Sequence, residues 1–224
     1  MEENGQDWRA FLLRAAHDLR APLRAVRTNA ELLLKDPEKR DGPEFQQLLG
    51  FLVNGARNAD ALVDGLSNYA LALQVQPNSL PVSTAVLLNT VRAKLAQEIR
   101  ATEAEVTNGE LPRVHGDPDR LAQVLENLVR NAIQHRADRA PRIHVEVQER
   151  DGDWLFAVRD NGPGIEAEDQ ERIFRPFEKL SRDRGACGLG LAICREIVTR
   201  HGGKLWMESE PGQGSTFYFT IVQD

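Results

Sequence analysis

The chain has 224 residues, 41% hydrophobic and 28% charged, with a formal net charge of −6. That much apolar material excludes a wholly disordered protein, and the acidic balance argues against a protein built to neutralise nucleic-acid phosphates. Two cysteines, Cys187 and Cys194, exclude a disulfide framework, and no spacing suggests zinc. No apolar run approaches the ~18 residues of a membrane span and the start is no signal peptide, so a soluble, cytoplasmic setting is expected. At ~100–200 residues per domain, length leaves one or two domains open.

From Asp7 to Lys35 apolar residues recur at alternating steps of three and four: Trp8, Leu12, Ala15, Leu19, Leu23, Val26, Ala30, Leu33. This predicts one long amphipathic helix. Breakers from Asp36 to Pro43 turn the chain. A second stripe follows: Phe45, Leu48, Leu52, Ala56, Ala59, Val63, Leu66, Ala70 and Leu73. A hairpin of two such helices cannot bury both stripes alone, which predicts a homodimer closing a four-helix bundle. Periodicity stops around Gln76–Pro81, a linker. Beyond it, Ser83–Arg100 reads as a helix. Asp117-Pro118 starts another with a capping acid and a first-turn proline, running to about Gln134. Ile143, Val145 and Val147 alternate with polar residues, Asp151-Gly152 turns, and Trp154, Phe156 and Val158 alternate again, a β-hairpin. A helix from about Leu189 to Arg200 and strands at Lys204–Ser209 and Ser215–Val222 close the chain. The second half is α/β, with a mixed, largely antiparallel sheet covered by helices on one face.

His17 stands two residues from both Ala15 and Leu19, ~200° round the helix from Ala15 and so away from the apolar stripe. An exposed helical histidine is ordinarily a solvated residue. Asp18 beside it can accept a ring N–H, fixing the tautomer and leaving the other nitrogen nucleophilic. Pro22 stands inside the helix one turn further on, at a cost of ~3 kcal/mol with a kink.

Three features in the second half suit a nucleotide. Asn127 and Asn131, four apart with Gln134 one turn on, offer neutral oxygens to one face of a Mg²⁺–phosphate complex; alone they are more often a solvated helix flank. Asp160 ends its strand with the parity of Trp154, Phe156 and Val158, so its carboxylate faces the buried side and needs a donor. Either it caps the Asn161-Gly162-Pro163-Gly164 turn or it accepts the exocyclic amine of adenine. Gly185-Ala186-Cys187-Gly188-Leu189-Gly190 feeds a helix N-terminus, a ready anion site. Each motif is weak alone; their order describes a nucleotide site with a flexible lid.

The chain resembles the catalytic core of a bacterial sensor histidine kinase over nearly its whole length. Residues 11–23, around His17-Asp18-Leu19, match the family's phospho-acceptor box, and Asn127-Leu128-Val129-Arg130-Asn131-Ala132 the asparagine box. Asp160–Ile165 and Gly188–Ile193 match the two glycine boxes, and Ile173-Phe174-Arg175-Pro176-Phe177 the phenylalanine box. His17-Asp18-Leu19 and Gly214–Phe219 are similar in wording to the bacteriophytochrome-like branch. The resemblance implies a dimerisation and histidine-phosphotransfer hairpin over residues 1–76, a linker at 77–81, and a catalytic ATP-binding domain of the Bergerat (GHKL) type over 82–224. It implies ATP and Mg²⁺ as cofactors, with His17 as nucleophile on the γ-phosphate and Asp18 as its base and orienter. Asn131 would ligate Mg²⁺, Asn127 would contact the phosphates and Asp160 the adenine amine. Gly188, Leu189 and Gly190 would belong to the phosphate-side lid, with Phe177 coupling lid closure to the nucleotide. Gln134, His135, Gly162 and Gly164 complete the implied ATP-binding set. The phosphoryl group would pass to an aspartate of a response-regulator receiver domain. An upstream sensor domain is expected ahead of the first helix, and the full-length protein is open to a membrane anchor.

Three departures from the family pattern stand out. Gln134 and His135 occupy places often basic and aromatic, and a neutral amide offers a phosphate no charge, which predicts weaker ATP binding. Ala186 and Cys187 replace residues often Gly and Thr or Ser, which predicts a stiffer or differently closed lid. Ala21, one turn after His17, stands where kinases that also dephosphorylate their regulator place threonine or asparagine to position a water; weak phosphatase activity follows. Two other classes remain open on the residues alone: an ATPase of the chaperone, topoisomerase or mismatch-repair type, and a degenerate kinase acting as a dimeric binding module.

Overall fold

The computed structural model describes residues 2–35, 42–74, 78–180 and 187–222, with the side chains of residues 2–7 left aside. The breakers at Asp36–Asp41, the linker residues Gln76 and Pro77, and Ala186 therefore lie outside the described residues. The chain forms two compact units, Met1–Ala70 with Pro176–Leu189, and Leu71–Arg175 with Gly190–Asp224.

The first unit is built on α1 (Glu2–Lys35) and α2 (Pro43–Gln74). Pro43 opens α2 with its φ already helical and no N–H to leave unpaired. Helix α1 continues through Pro22 without interruption. The two helices meet closely at Gly55, where a Cβ would lie 3.0 Å from Val26 Cγ2 and 3.1 Å from the Pro22 carbonyl oxygen. The buried side of α2 departs from the predicted stripe in one place: Leu62 is 7% exposed and Val63 49%. From Ala59 the buried row steps by three to Leu62 and again to Gly65, a path that hydrophobicity alone does not separate from the four-step through Val63. Several large apolar side chains of α1 stay exposed in the single chain, among them Leu12, Leu13 and Leu23. Phe11 is the centre of an aromatic cluster, 5.1 Å from both Trp8 and Tyr69 and 5.0 Å from Phe177 between ring centroids.

The second unit holds a two-stranded sheet of β1 (Leu80–Ser83) and β3 (Arg113–Gly116), and a five-stranded sheet in the order β2-β4-β5-β7-β6. Its strands are β2 (Glu105–Asn108), β4 (Arg142–Arg150), β5 (Asp153–Asp160), β6 (Leu205–Glu210) and β7 (Gly214–Val222). Strand β2 pairs parallel to β4 and every other neighbour is antiparallel, so the sheet is mixed as expected. Asp151 and Gly152 both take positive φ, the requirement of a tight two-residue hairpin turn. Ile143, Val145, Phe156, Val158, Phe219 and Ile221 point to one face and are buried; Glu146 and Arg159 between them are exposed. Helices α3 (Thr84–Lys94), α5 (Pro118–Gln134) and α6 (Gly190–Arg200) supply the facing core with Leu88, Leu125, Leu128, Ile193 and Ile197.

The single helix predicted over Ser83–Arg100 is two. Ser83 ends β1 and caps α3 by accepting the Val86 N–H, and α4 (Ala96–Thr102) begins after a break at Leu95. Leu95 stays fully buried, so the apolar rhythm runs across the break and conceals it. Leu80 and Pro81, read as linker, belong to β1. Strands β2 and β3 escaped prediction because each is four residues long, too short to establish a period. The last turn of α2 belongs to this second unit: Ala72 is buried, and Arg200 of α6, paired with Glu196 at 3.0 Å, donates to the Leu73 carbonyl. Among the described residues no helix is long and apolar enough to cross a membrane.

Candidate functional site

In the first unit, His17 projects from α1 with its side chain 84% exposed, as the wheel position predicts. Its Nδ1 lies 3.1 Å from Oδ1 of Asp18. A carboxylate accepts only from a protonated nitrogen, so in the neutral ring this contact favours the tautomer with its proton on Nδ1 and its lone pair on Nε2. Ala21, one turn on, is exposed and carries no hydrogen-bonding group.

Phe177 and Glu178 belong to the same unit. Phe177 is buried against Phe11 with φ of 65°, and its N–H donates to the Gly188 carbonyl at 2.8 Å. Arg14 pairs with Glu178 at 2.9 Å. Leu189 is fully buried, and with Cys187 it packs against Gly65, whose lack of a Cβ makes the room.

In the second unit, Asp117 opens α5 by accepting from the N–H groups of Asp119 and Arg120, which directs Leu121, Leu125 and Leu128 into the core and leaves Asn127 and Asn131 half-buried on the flank. Asn127 Nδ2 donates to the Gly190 carbonyl at 3.3 Å, tying α5 to the first residue of α6. Beneath it, burial pushes the Cys194 thiol up to about 12, eased by a hydrogen bond with Asn127, so this cysteine is an inert core residue. The Asn131 side chain makes no hydrogen bond among the described residues, and Gln134 and His135 are exposed at the end of the helix. No cluster of three or more His, Cys, Asp or Glu able to hold a metal occurs among the described residues. A metal here would lean on amide oxygens, phosphate and water, a donor set that fits Mg²⁺.

Asp160 does cap its turn, the plainer of the two readings of its sequence position. Its Oδ1 accepts the N–H of Gly162 at 2.7 Å and of Ser215 at 3.2 Å. Burial raises its pKa above 3.8, opposed by those two hydrogen bonds and by the charge of His135. Both bonds fall on one oxygen, so capping does not consume the carboxylate. Gly164, at φ of 75°, passes so near β6 that a Cβ would lie 2.1 Å from the Glu210 carbonyl oxygen; only glycine fits.

The sequence reading missed the residues that brace this loop. Asn161 accepts the Arg142 N–H at 2.8 Å and donates to the Ala140 carbonyl at 3.1 Å, while Arg139 donates to the Asn161 carbonyl at 2.7 Å. Ser209 accepts the Ile165 N–H at 2.8 Å and bonds Ser215 Oγ at 3.0 Å. The one available signal was the repeated small polar residue at both sides of the β6–β7 turn.

A mixed sheet under three helices, with an asparagine pair, a buried-side aspartate and a glycine-bearing helix start on one unit and an exposed histidine on another, defines a nucleotide-binding domain joined to a phospho-acceptor hairpin. Residues 7–72 match the His Kinase A (phospho-acceptor) domain, and residues 116–224 match the histidine kinase-, DNA gyrase B- and HSP90-like ATPase. The chain belongs to the sensor histidine kinases. It is 34% identical to cyanobacterial phytochrome A of Nostoc sp. over 99% of its own length, and spans 29% of that relative. It is 31% identical to the catalytic domain of the histidine kinase ThkA, covering 65% of this chain and 96% of that one with a TM-score of 0.58. The same kinase in complex with the response regulator TrrA has the same fold over the whole chain, with a TM-score of 0.80 at 24% identity, and this chain covers 64% of it.

Proposed function

We propose that this chain is an ATP-dependent protein histidine kinase core that autophosphorylates on His17 and passes the group to an aspartate of a receiver domain. The observation that carries the reading is the His17–Asp18 contact on a fully presented helix face. The hairpin of α1 and α2 up to about Ala70 acts as the dimerisation and phosphotransfer domain, and the ATP-binding domain takes in the last turn of α2 and β1 at its start. A second copy of the hairpin covers Leu12, Leu23 and their neighbours, whose exposure in one chain is costly at ~25 cal/mol per Å².

Nε2 of His17 attacks the γ-phosphorus of ATP. A P–N bond forms as the bond to the β–γ bridging oxygen breaks, and ADP leaves with that electron pair. Asp18 keeps the proton on Nδ1 and stabilises the positive charge that the ring acquires. Asp160 receives the adenine amine on the oxygen not used by the turn. Asn127 and Gln134 orient the phosphates, and Asn131 is the residue that holds Mg²⁺, which supplies charge neutralisation when bound. His135, Gly162, Gly164 and Gly190 shape the pocket. Phosphoryl transfer demands chiefly positioning and charge stabilisation. An aspartate carboxylate of the receiver then attacks phosphorus and His17 leaves with the P–N electron pair, restoring the free ring.

The test is labelling from γ-labelled ATP with Mg²⁺. The wild-type chain acquires label that is acid-labile and base-stable, and His17→Ala acquires none while binding ATP unchanged. Label surviving in His17→Ala removes His17 from the role.

A further inference from the structure

The two-residue turn at Asp151-Gly152 closes on the pair Arg150–Asp153, so Arg150, Gln148, Glu146 and His144 exchange their backbone hydrogen bonds with β5. The alternate residues Val145, Val147 and Glu149 turn their N–H and C=O groups to the opposite edge of β4. Strand β2 covers that edge only from Arg142 to Val145. Its last bond runs from the Gly109 N–H to the Val145 carbonyl at 3.0 Å, and Asn108 Nδ2 then takes the Gly109 carbonyl at 2.8 Å. Beyond that point the outward backbone groups of Val147 and Glu149 have no hydrogen bond among the described residues. Elsewhere the sheet's edges are partly guarded: Arg92 donates to the outward carbonyl of Val106 on β2 at 2.8 Å, and Gln170 to that of Ser209 on β6 at 3.0 Å. Along the β4 overhang runs a cavity of about 550 Å³ instead, lined by Gly109–Pro112, Glu146–Glu149 and Trp154. Its charges are Glu110, Glu146 and Glu149, and no lysine or arginine among the described residues lines it. Glu146 touches only His144 at 3.3 Å and Gln148 at 3.5 Å, both at the surface. A charged guard blunts an edge by crossing it; these carboxylates border an open space.

We propose that the β4 overhang docks an extended cationic segment of a partner protein, which adds as a strand beside Val147 and Glu149. Strand addition draws affinity from main-chain hydrogen bonds and specificity from alternate side chains. Val147 shares the buried face of the sheet with Phe156, and Glu146 stands on the exposed face. The segment therefore carries an apolar residue over Val147 and Trp154, alternating with lysine or arginine beside Glu146. Asp160 pairs with Ile143 at the other end of β4, ~20 Å from Glu149 at ~3.4 Å per residue. The docking edge is thus separate from the glycine loop, and it does not depend on the kinase reading.

The probe is a fluorophore-labelled seven-residue peptide alternating lysine and valine, blocked at both ends and titrated against the whole chain by anisotropy. A peptide of the same composition with its lysines and valines in two blocks reports charge attraction alone and should bind ~10-fold or more weaker. Saturation with the alternating peptide should slow amide exchange at Val147 and Glu149 by ~10-fold or more, because both N–H groups gain an acceptor, and leave Gln148, already bonded to β5, unchanged. Glu149→Pro removes an outward N–H and breaks no bond to β5. It should bind ~5-fold or more weaker than Glu149→Gln, which loses the same charge and keeps the donor. Glu110→Gln/Glu146→Gln should weaken binding ~3-fold or more at ~0.05 M salt and match the wild type at ~0.5 M, where the Debye length is about 4 Å. No binding, equal binding of the block peptide, or unchanged exchange at Val147 and Glu149 overturns the proposal. Where the proline variant does not fold, the exchange measurement on the wild-type chain decides.

Discussion

Ser215, opening the last strand, donates its backbone N–H to Oδ1 of Asp160, 55 residues earlier, at 3.2 Å. Gly162 donates to the same oxygen at 2.7 Å, so the aspartate joins β5, the glycine loop and β7 at one atom. The carboxylate is nonetheless desolvated enough to raise its pKa above 3.8. Asp160→Asn keeps an oxygen for both N–H donors and removes the buried charge. Its apo melting temperature should equal or exceed that of the wild type, while ATP binds at least ~30-fold more weakly, the ~2 kcal/mol of a charge-assisted hydrogen bond. A melting curve and a nucleotide titration of the variant check both halves.

The same group fixes a pH dependence. The folded pKa is raised, so between 3.8 and that value the folded state holds more protons than the unfolded one. Asp160 therefore adds stability at low pH that is lost as pH climbs through the folded value. The wild type should gain on Asp160→Asn as pH falls from neutral towards 4, seen as a converging or crossing pair of melting temperatures. A constant difference between the two across that range contradicts the burial of this carboxylate.

These two residues also mark where sequence reading stops. Asp160 was legible because strand parity placed it with Phe156 and Val158, and His17 because helix angle placed it opposite Ala15. Both inferences use only the local period. Ser215, Ser209 and Asn161 act through register and loop closure over long separations, which no period encodes. The break at Leu95 and the short β2 and β3 were lost for the related reason that tertiary pairing, not local pattern, creates them. Val63 and Leu62 differ by one helical position, and tertiary packing, not hydrophobicity, decides which is buried.

Gly55 tests the geometry of the hairpin. A Cβ there would meet Val26 Cγ2 at 3.0 Å and the Pro22 carbonyl at 3.1 Å, and the carbonyl belongs to a backbone that proline already stiffens. Gly55→Val should cost the hairpin ~1–3 kcal/mol by overpacking. Sedimentation and circular dichroism should show a weakened dimer and an earlier helical melting step, with ATP affinity unchanged.

Asp18→Asn separates orientation from charge. The amide oxygen still accepts the Nδ1 proton across 3.1 Å, so the tautomer survives. The negative charge that stabilises the forming imidazolium does not. Autophosphorylation at saturating ATP should slow ~10²-fold or more, within the range removed with a general acid–base partner, with ATP affinity held. A rate within twofold of wild type would show that the carboxylate's charge is dispensable.

Ala21 offers a test of the reverse outcome. It is exposed one turn after His17 on α1, close enough to the imidazole for a side chain there to hold a water against a phosphoryl group on a docked receiver. Alanine offers no donor or acceptor, so the wild-type chain should leave a phosphorylated receiver nearly untouched. Ala21→Thr supplies a hydroxyl at that place with little cost to an exposed helix position, ~0.7 kcal/mol or less. Dephosphorylation of the purified phospho-receiver should then accelerate ~10²-fold, the lower end of what a positioned acid–base group contributes, while labelling of His17 is retained. The decay of receiver-bound label in the presence of each chain measures it. Rapid decay with the wild-type chain would mean that water reaches the acyl phosphate without help from this position.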